Sequence, residues 1–251
     1  MLTDQRRAHI LETLRLTGRA LASELARNLS VSEDTIRRDM RDMATAGLLR
    51  RVHGGALPVT PDLPDFSARQ SVSTTEKASL GARAAALVKP GQMIFLDGGT
   101  TTAEIARRLP KEMPLTVATH SPTIAAEFEH HRQIEVILIG GRLYKHSMVA
   151  VGAAAMTAID AIRPDIFFLG VTAVHPSHGL STGDFEEAAI KRHILMASAE
   201  TFVPVTEGKI GALSPCLIAP LSKISGVIVP SGMDAERLAP YREAGTEVIE
   251  G

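Results

Sequence analysis

The stretch from Ser32 to Arg51 constrains the chain most, because it combines an apolar stripe with a cluster of arginines. Ile36, Met40 and Met43 recur at helical spacing, which predicts a helix that buries one face. The residues on its other faces are Thr35, Arg37, Arg38 and Arg41. Such a helix suits the major groove of DNA, where arginine binds guanine or phosphate. A solvated basic helix on the protein surface is the alternative.

The flanking residues favour the DNA-binding interpretation. The apolar spacing predicts a first helix from Asp4 to Leu16 and a second from Leu21 to Leu29, with a short turn at residues 30–32. Ser32 is a good N-cap for the third helix, and Gly47 stands where a glycine commonly ends one. Two helices joined by a short turn predict a helix-turn-helix.

The residues after Gly47 predict a short β-hairpin. Apolar Val52 precedes a turn at residues 53–55, His-Gly-Gly. A hairpin at this place would be the wing of a winged helix-turn-helix, with Arg51 and His53 reaching a phosphate backbone or the minor groove. A plain hairpin that packs on the helices is the alternative.

The charge distribution supports a small basic head on an acidic body. Residues 1–57 hold ten arginines and no lysine against seven acidic residues, a net charge of +3, although the whole chain has a net charge of −1. The remainder therefore has a net charge of −4. This layout is common in a DNA-binding module joined to a sensor domain.

Composition excludes several classes of protein. Aromatic residues make up only 4% of the chain, which argues against nucleic-acid binding on stacked aromatic platforms. Its apolar runs are far shorter than the roughly 18 residues of a membrane span, and the N-terminus has no apolar signal segment. Cys216 is the single cysteine, so no internal disulfide or cysteine metal cluster can form. We expect a cytoplasmic protein without membrane contact, cofactor or metal.

The pattern changes after residue 57. Residues 58–74 form a predicted linker that contains Pro58, Pro61 and Pro64. In residues 75–251, short apolar strands alternate with helices. This alternation predicts an α/β domain with a mostly parallel sheet, joined by the linker to the head at residues 1–57.

Residues 97–102, Asp-Gly-Gly-Thr-Thr-Thr, mark a candidate ligand site. They follow a predicted strand and open a helix, and open parallel sheets bind ligands beyond the carboxyl ends of their strands. Glycines allow close approach of the backbone, and a helix N-terminus offers N–H donors to a phosphate. A glycine turn with a threonine cap is the alternative. The chain has neither GxxxxGK[ST] nor GxGxxG, so nucleotide binding has little support.

The motifs TIRRDM and RRVHGGA together resemble those of the DeoR family of bacterial transcriptional regulators. The resemblance implies a winged helix-turn-helix and a C-terminal sugar-phosphate sensor domain, similar in fold to ribose-5-phosphate isomerase. It also implies that Arg37 and Arg38 are the main DNA-contacting pair, with Ser32 and Thr35 beside them.

The resemblance further implies an effector site in the C-terminal domain. The residues that match the family's motifs there are Asp97, Gly99, Thr100, Thr101, Gly140, Gly141, Glu187, Lys191 and Lys209. Glu187 and Lys191 stand four apart and can share one helical face, where a surface ion pair is the alternative. Arg69, in a family element of the linker, is a candidate for docking the two domains.

Two segments depart from the family pattern. Thr119-His120-Ser121 stands where the family usually has Asn-Ser or Asn-Asn, and residues 206–208 lack the usual aspartate and serine. Both segments belong to the expected pocket, so they bear on which effector the domain accepts.

The sequence therefore predicts a DNA-binding transcriptional regulator, foremost a repressor of a carbohydrate-utilisation operon. A phosphorylated sugar or polyol would alter its affinity for double-stranded operator DNA. Paired half-sites need at least a dimer, and the resemblance implies a homo-oligomer, dimer or tetramer. One alternative is a sugar-phosphate isomerase-like enzyme with a docking head, against which the arginine-rich helix argues. Another is an architectural DNA-binding protein with an inactive sensor domain.

Overall fold

The computed structural model describes residues 2–60 and 64–251. Pro61, one of the three prolines of the predicted linker, lies outside the described residues. Pro58 is buried, and Pro64 is exposed.

The N-terminal part consists of three helices and a small antiparallel sheet. Its elements are α1 (Thr3–Thr17), β1 (Ala20–Leu21), α2 (Ala22–Leu29), α3 (Glu33–Thr45), β2 (Arg50–Val52) and β3 (Gly55–Leu57). The strand order is β1-β3-β2, so the predicted hairpin is present as a wing with one further short strand beside it.

The apolar stripe of α3 lies in the core of the head. Ile36, Met40 and Met43 are at most 1% exposed and pack with Ile10 and Leu14 of α1. The helical spacing in the sequence therefore identified the buried face correctly. The arginines of α3 lie outside this core.

The C-terminal part begins with helices and then alternates strands and helices. Its elements are α4 (Phe66–Arg69), α5 (Thr74–Ala85), β4 (Met93–Leu96), α6 (Thr100–Arg108), β5 (Leu115–Thr119), α7 (Pro122–Ala126), β6 (Ile134–Leu138), β7 (Arg142–Tyr144), β8 (Val149–Val151), α8 (Ala153–Asp160), β9 (Ile166–Phe168), β10 (Ala173–His175), β11 (Gly179–Thr182), α9 (Phe185–Ala197), β12 (Glu200–Pro204), β13 (Cys216–Ala219), β14 (Gly226–Val229), α10 (Ala235–Glu243) and β15 (Glu247–Glu250).

Seven of these strands form one parallel sheet in the order β15-β14-β12-β9-β4-β5-β6. The central strands β4 and β9 are almost entirely apolar and buried, as expected when helices cover both faces of a parallel sheet. Separate apolar clusters lie on the two sides of the sheet. The predicted α/β class is confirmed.

The sequence pattern missed several short elements. β10, β11 and β13 form a second, antiparallel sheet, and β7 pairs with β8 in a hairpin. These strands have only three or four residues, too few to show an alternating pattern. Helix α8 was also missed, and α4 interrupts the predicted linker.

Within residues 2–60 and 64–251, no helix has the length and apolar character needed to cross a membrane.

Candidate DNA-contacting face and effector cavity

Helix α3 offers a basic face to the solvent. Its N-cap is Ser32, whose hydroxyl accepts a hydrogen bond from the Thr35 amide at 3.2 Å, as the sequence predicts for the start of this helix. Arg37, Arg38 and Arg41 are all exposed. Arg37 forms an ion pair with Glu33 at 2.8 Å, and this exposed pair is weak enough for a phosphate to displace.

One acidic residue within the same motif faces inwards. Asp39 is buried, and one carboxylate oxygen lies 2.5 Å from Nε of Arg6 in α1. This ion pair joins α1 to α3 and fixes the position of the basic face. The helical pattern did not single out Asp39, although its place between Ile36 and Met43 on the buried side could have done so.

The wing adds a second basic surface. Arg51 and His53 are exposed, as is the neighbouring Arg50. A Cβ atom at Gly55 would lie 2.2 Å from the carbonyl oxygen of Ala20 in β1, so a side chain there would push the wing away from the head. This close approach is the physical reason for a glycine in the His-Gly-Gly turn.

A cavity of about 340 Å³ lies at the carboxyl ends of the neighbouring strands β4, β9 and β12. Its volume falls in the range of small-molecule sites. The polar and charged residues that line it include Thr60, Arg69, Thr100, Thr101, Tyr144, His146, Thr172, Thr182, Glu187, Lys191 and Lys209. The loop at residues 97–102 therefore opens onto a cavity at the carboxyl ends of the strands, and ligand binding there stays a prediction.

Asp97 lies beneath the cavity and does not line it. The carboxylate is fully buried and accepts hydrogen bonds from Lys191 Nζ at 2.5 Å and from the amides of Gly98 and Gly170, both at 2.8 Å. Burial by itself would raise the pKa of Asp97, but Lys191 and His120 lower it to about 2. Asp97 is thus an ionised anchor for the side chains above it.

His120 completes this buried cluster. Its Nδ1 lies 2.9 Å from the Ala150 carbonyl oxygen and its Nε2 lies 2.8 Å from Oδ1 of Asp97. The ring therefore connects the Asp97 carboxylate to the backbone of β8, and it is fully buried.

Lys191 lines the cavity, but its charge is already paired within its own domain. Its Nζ donates to Asp97 at 2.5 Å and to the Gly170 carbonyl at 2.8 Å, and it forms an ion pair with Glu187 at 3.4 Å. Burial would lower the pKa of Lys191, but Asp97 and Glu187 raise it above its ordinary value. The alternative of a surface ion pair between Glu187 and Lys191 is excluded, since both residues are buried.

Lys209 and Arg69 have a different electrostatic environment. Within the described residues, Lys209 donates to the carbonyl of Val171 at 2.7 Å and Arg69 to that of His146 at 3.4 Å, and neither has a carboxylate partner. Burial lowers the pKa of Lys209, and the charges of Arg69 and Lys191 lower it further, to about 7. Burial also lowers the pKa of Arg69, whose buried Nε has no partner in the described residues. Among the residues that the structure describes, the cavity therefore has two cationic side chains that form no ion pair.

The candidates from the sequence separate into three groups. Gly99, Thr100, Thr101, Glu187, Lys191 and Lys209 line the cavity, and Asp97 supports it from below. Gly140 and Gly141, at the start of the β7–β8 hairpin, do not line it. Sequence reasoning missed Arg69 as a cavity residue. The signal was the family element that contains it, interpreted only as a domain contact.

Models of two families match the chain. The DeoR-like helix-turn-helix domain matches residues 6–61 and the DeoR C-terminal sensor domain matches residues 72–231. The chain belongs to the DeoR family. It is a transcriptional regulator with a DNA-binding helix-turn-helix domain and a sensor domain, as its motifs predicted. The isomerase alternative is not supported, because the family and its relatives are regulators.

Individual relatives extend over most of the chain. The HTH-type transcriptional regulator GlpR of Haloferax volcanii is 31% identical over 253 residues, covering 100% of this chain and 99% of its own length. The glycerol-3-phosphate regulon repressor of Escherichia coli K12 is 28% identical, covering 90% of each chain. Ribose-5-phosphate isomerase A of Methanocaldococcus jannaschii has a TM-score of 0.40 and 21% identity, covering 53% of this chain and 52% of its own.

Proposed function

We propose that this DeoR-family regulator represses a carbohydrate-utilisation operon and that a phosphorylated sugar or polyol, bound in the cavity, alters its affinity for operator DNA. The observation that carries the effector class is the pair of cations, Arg69 and Lys209, that have no carboxylate partner in the described chain. Helix α6 starts at Thr100 beside them and adds the N–H donors and positive dipole end that favour a phosphate.

Other residues of the cavity suit hydroxyl groups. Glu187 accepts a hydrogen bond from the Thr182 hydroxyl at 2.8 Å and retains lone pairs for a hydroxyl of the ligand. Thr172 also lines the cavity and offers a hydroxyl. A molecule that carries both a phosphate and hydroxyl groups matches these two kinds of binding partner. The relative named as a glycerol-3-phosphate regulon repressor supports the same class.

A thermal-shift panel tests the effector class. The compounds are glycerol 3-phosphate, ribose 5-phosphate, their unphosphorylated parents and inorganic phosphate. We expect a phosphorylated polyol or sugar to raise the melting temperature, with about 2.7 kcal/mol of stabilisation at a hundredfold excess over Kd. The parents should have no effect. Lys209→Met and Arg69→Met should each weaken binding at least about tenfold, whereas exposed Lys223→Met should not.

Two results would contradict the proposal. One is that no phosphorylated compound stabilises the wild-type protein, which is the result expected of an inactive sensor domain. The other is that Lys209→Met and Arg69→Met respond like the wild type. A stabilising compound must also change the apparent Kd for operator DNA in a gel-shift titration, because only a difference in affinity between two conformations can produce regulation.

We propose that α3 and the wing form the operator-binding surface, with Ser32, Thr35, Arg37, Arg38, Arg41, Arg51 and His53 as its contact residues. Arg37→Ala and Arg38→Ala should each weaken binding by about 1–3 kcal/mol where the arginine holds a base edge. Binding is measured by fluorescence anisotropy on fragments from upstream of the protein's own gene. Arg132→Ala, which removes an exposed arginine of the C-terminal part, is the control. Wild-type affinity in both variants would mean that another surface reads the DNA.

We propose a domain division into residues 1–57, a linker at 58–74 and a sensor domain at 75–251. The separate apolar cores on the two sides of the linker support it.

We further propose a cytoplasmic homo-oligomer, dimer or tetramer, because operator DNA lies in the cytoplasm and paired half-sites require at least two heads. Sedimentation analysis with and without operator DNA tests the oligomeric state.

A further inference from the structure

The C-terminal end of α1 is held by a turn of the sensor domain. The backbone carbonyls of a helix's last turn have no partners within the helix. Here Leu14, Leu16 and Thr17 accept hydrogen bonds from His175 Nε2 at 3.1 Å, from the Ser177 hydroxyl, and from His178 Nε2 at 2.8 Å. The Leu14 carbonyl also accepts one from the Gly18 amide at 2.9 Å, which caps the helix. We call residues 175–178, which run from the last residue of β10 to the residue before β11, the interdomain clasp.

The clasp fits one arrangement of the two domains. Nδ1 of His175 accepts a hydrogen bond from the Ser177 amide at 3.2 Å, so Nε2 carries the ring proton and donates to Leu14. A Cβ atom at Gly18 would lie 2.3 Å from the His178 ring, and Gly18 has a φ of +69°. Glycine therefore both ends α1 and leaves room for the clasp.

The strand that carries the clasp begins in the effector cavity. Gly170, Val171 and Thr172 line the cavity, and β10 follows directly. A bend at Thr172 separates Val171 from β10, which ends at His175 of the clasp. The Val171 carbonyl accepts the hydrogen bond from Lys209 at 2.7 Å. A phosphate bound by Lys209 would compete with this carbonyl for the ammonium group.

The strand is also tied to the segment that follows Lys209. The Val174 carbonyl accepts hydrogen bonds from the Gly211 amide at 2.8 Å and from the Tyr241 hydroxyl at 3.0 Å. Lys209 therefore contacts the chain just before β10, and Gly211 contacts β10 itself one residue before the clasp. Lys209 and His175 are thus connected through a short segment.

On the head side, α1 is connected to the DNA-binding helix. Arg6 of α1 is paired with buried Asp39 of α3 at 2.5 Å. The path from the cavity to the basic face therefore runs through Lys209, β10, the clasp, α1 and Asp39, each joined to the next by a hydrogen bond or ion pair.

We propose that the interdomain clasp couples the effector cavity to the DNA-binding head. When an anion takes the Lys209 ammonium group from the Val171 carbonyl, β10 shifts and the clasp loosens its hold on α1, which changes the orientation of α3. This inference rests on the proposed function, since it explains how that cavity regulates DNA binding.

The first test measures coupling. Ser177→Ala/His178→Ala is compared with the wild type and with His130→Ala, which removes an exposed histidine elsewhere. The operator Kd is measured with and without the phosphorylated compound that gives the largest melting shift in the panel. The ratio of the Kd with the compound to the Kd without it measures the coupling. We expect this ratio to lie at least about fivefold closer to one in the double variant than in the wild type, whereas the compound still raises the melting temperature of the variant. An unchanged ratio in the double variant would overturn the proposal.

The second test needs no effector. Lys209→Met removes the hydrogen bond to Val171 but keeps the side-chain volume. We expect amide hydrogen exchange in residues 14–18 to be at least about threefold faster in Lys209→Met and in the double variant than in the wild type or Lys223→Met. If both Lys209→Met and the double variant exchange at the wild-type rate, the proposed coupling through the clasp is refuted. If no panel compound binds, the proposed function fails, and this second test alone decides on the clasp.

Discussion

At the scale of single residues, charge compensation decides which side chains can serve a ligand. The ammonium group of Lys191 contacts Asp97, Glu187 and a carbonyl, so its charge is paired. The Lys209 ammonium group contacts a carbonyl and no carboxylate within the described chain, and burial together with neighbouring positive charges lowers its pKa to about 7. We therefore expect a bound phosphate to be stabilised more by Lys209 than by Lys191.

Because the charge of Lys191 is paired inside the sensor domain, Lys191→Ala should destabilise that domain. The variant would leave Asp97 and Glu187 buried without their cation, a loss of about 3–5 kcal/mol in free energy of unfolding. Urea denaturation followed by circular dichroism measures it. Lys223→Ala, at an exposed site, should stay within about 0.5 kcal/mol of the wild type. A Lys191→Ala variant as stable as the wild type would contradict this stabilising role.

At the scale of elements, the wing depends on how closely it approaches β1. The register places Leu21 opposite Gly55 and Ala20 opposite Ala56, and Ala56 is buried with the head's core. The wing is therefore part of the folded head, and Arg51 and His53 are held on its exposed side. Position 55 controls that placement because there is no space for a side chain against β1.

We expect Gly55→Ala to displace the wing and to weaken operator binding. The added methyl group would meet the Ala20 carbonyl at 2.2 Å, and overpacking of this kind costs about 1–3 kcal/mol. The melting temperature and the operator Kd are both measured. Gly140→Ala is the matched control. A Cβ at Gly140 meets no atom within 4 Å in the described structure, and the backbone of Gly140 does not have a positive φ. Equal behaviour of the two variants would show that the wing tolerates the methyl group.

At the scale of the whole molecule, two domains with separate cores meet through polar contacts at the end of α1. The clasp contains two histidines, and both rings bond carbonyls of the other domain. Burial lowers the pKa of His175, and the neighbouring His178, with its ring centre 5.0 Å away, also lowers it. The neutral form of His175 therefore belongs to the docked arrangement.

The stability of this arrangement should fall in acid. The unfolded chain binds a proton at His175 more readily than the folded chain, so the stabilisation is complete above pH 6.5, the ordinary pKa of histidine, and is lost as the pH decreases below it. One such proton contributes at most about 1.4 kcal/mol per pH unit. The free energy of unfolding is measured between pH 7 and pH 5 for the wild type and His175→Gln, whose slope should be smaller. Parallel slopes would show that His175 does not titrate in the transition.

Much of this molecule was readable in the sequence because the signals are local. The stripe of Ile36, Met40 and Met43, the Ser32 cap and the glycines of the wing each act within a few residues, so spacing alone identifies them. The apolar strands of the large sheet can also be identified from the sequence, because strands buried on both faces are continuously apolar. Family membership followed from motifs confined to such segments.

Tertiary structure decided what depends on residues far apart in the chain. Asp97, His120 and Lys191 form one buried cluster, and only their meeting shows that Lys191 is already neutralised whereas Lys209 is not. The clasp joins residues 161 positions apart, through strands too short to show a pattern. The sequence by itself determined that the head binds DNA and that a sensor follows it. Which cations are available to a ligand, and how the sensor reaches the head, depend on burial and pairing, which only the fold creates.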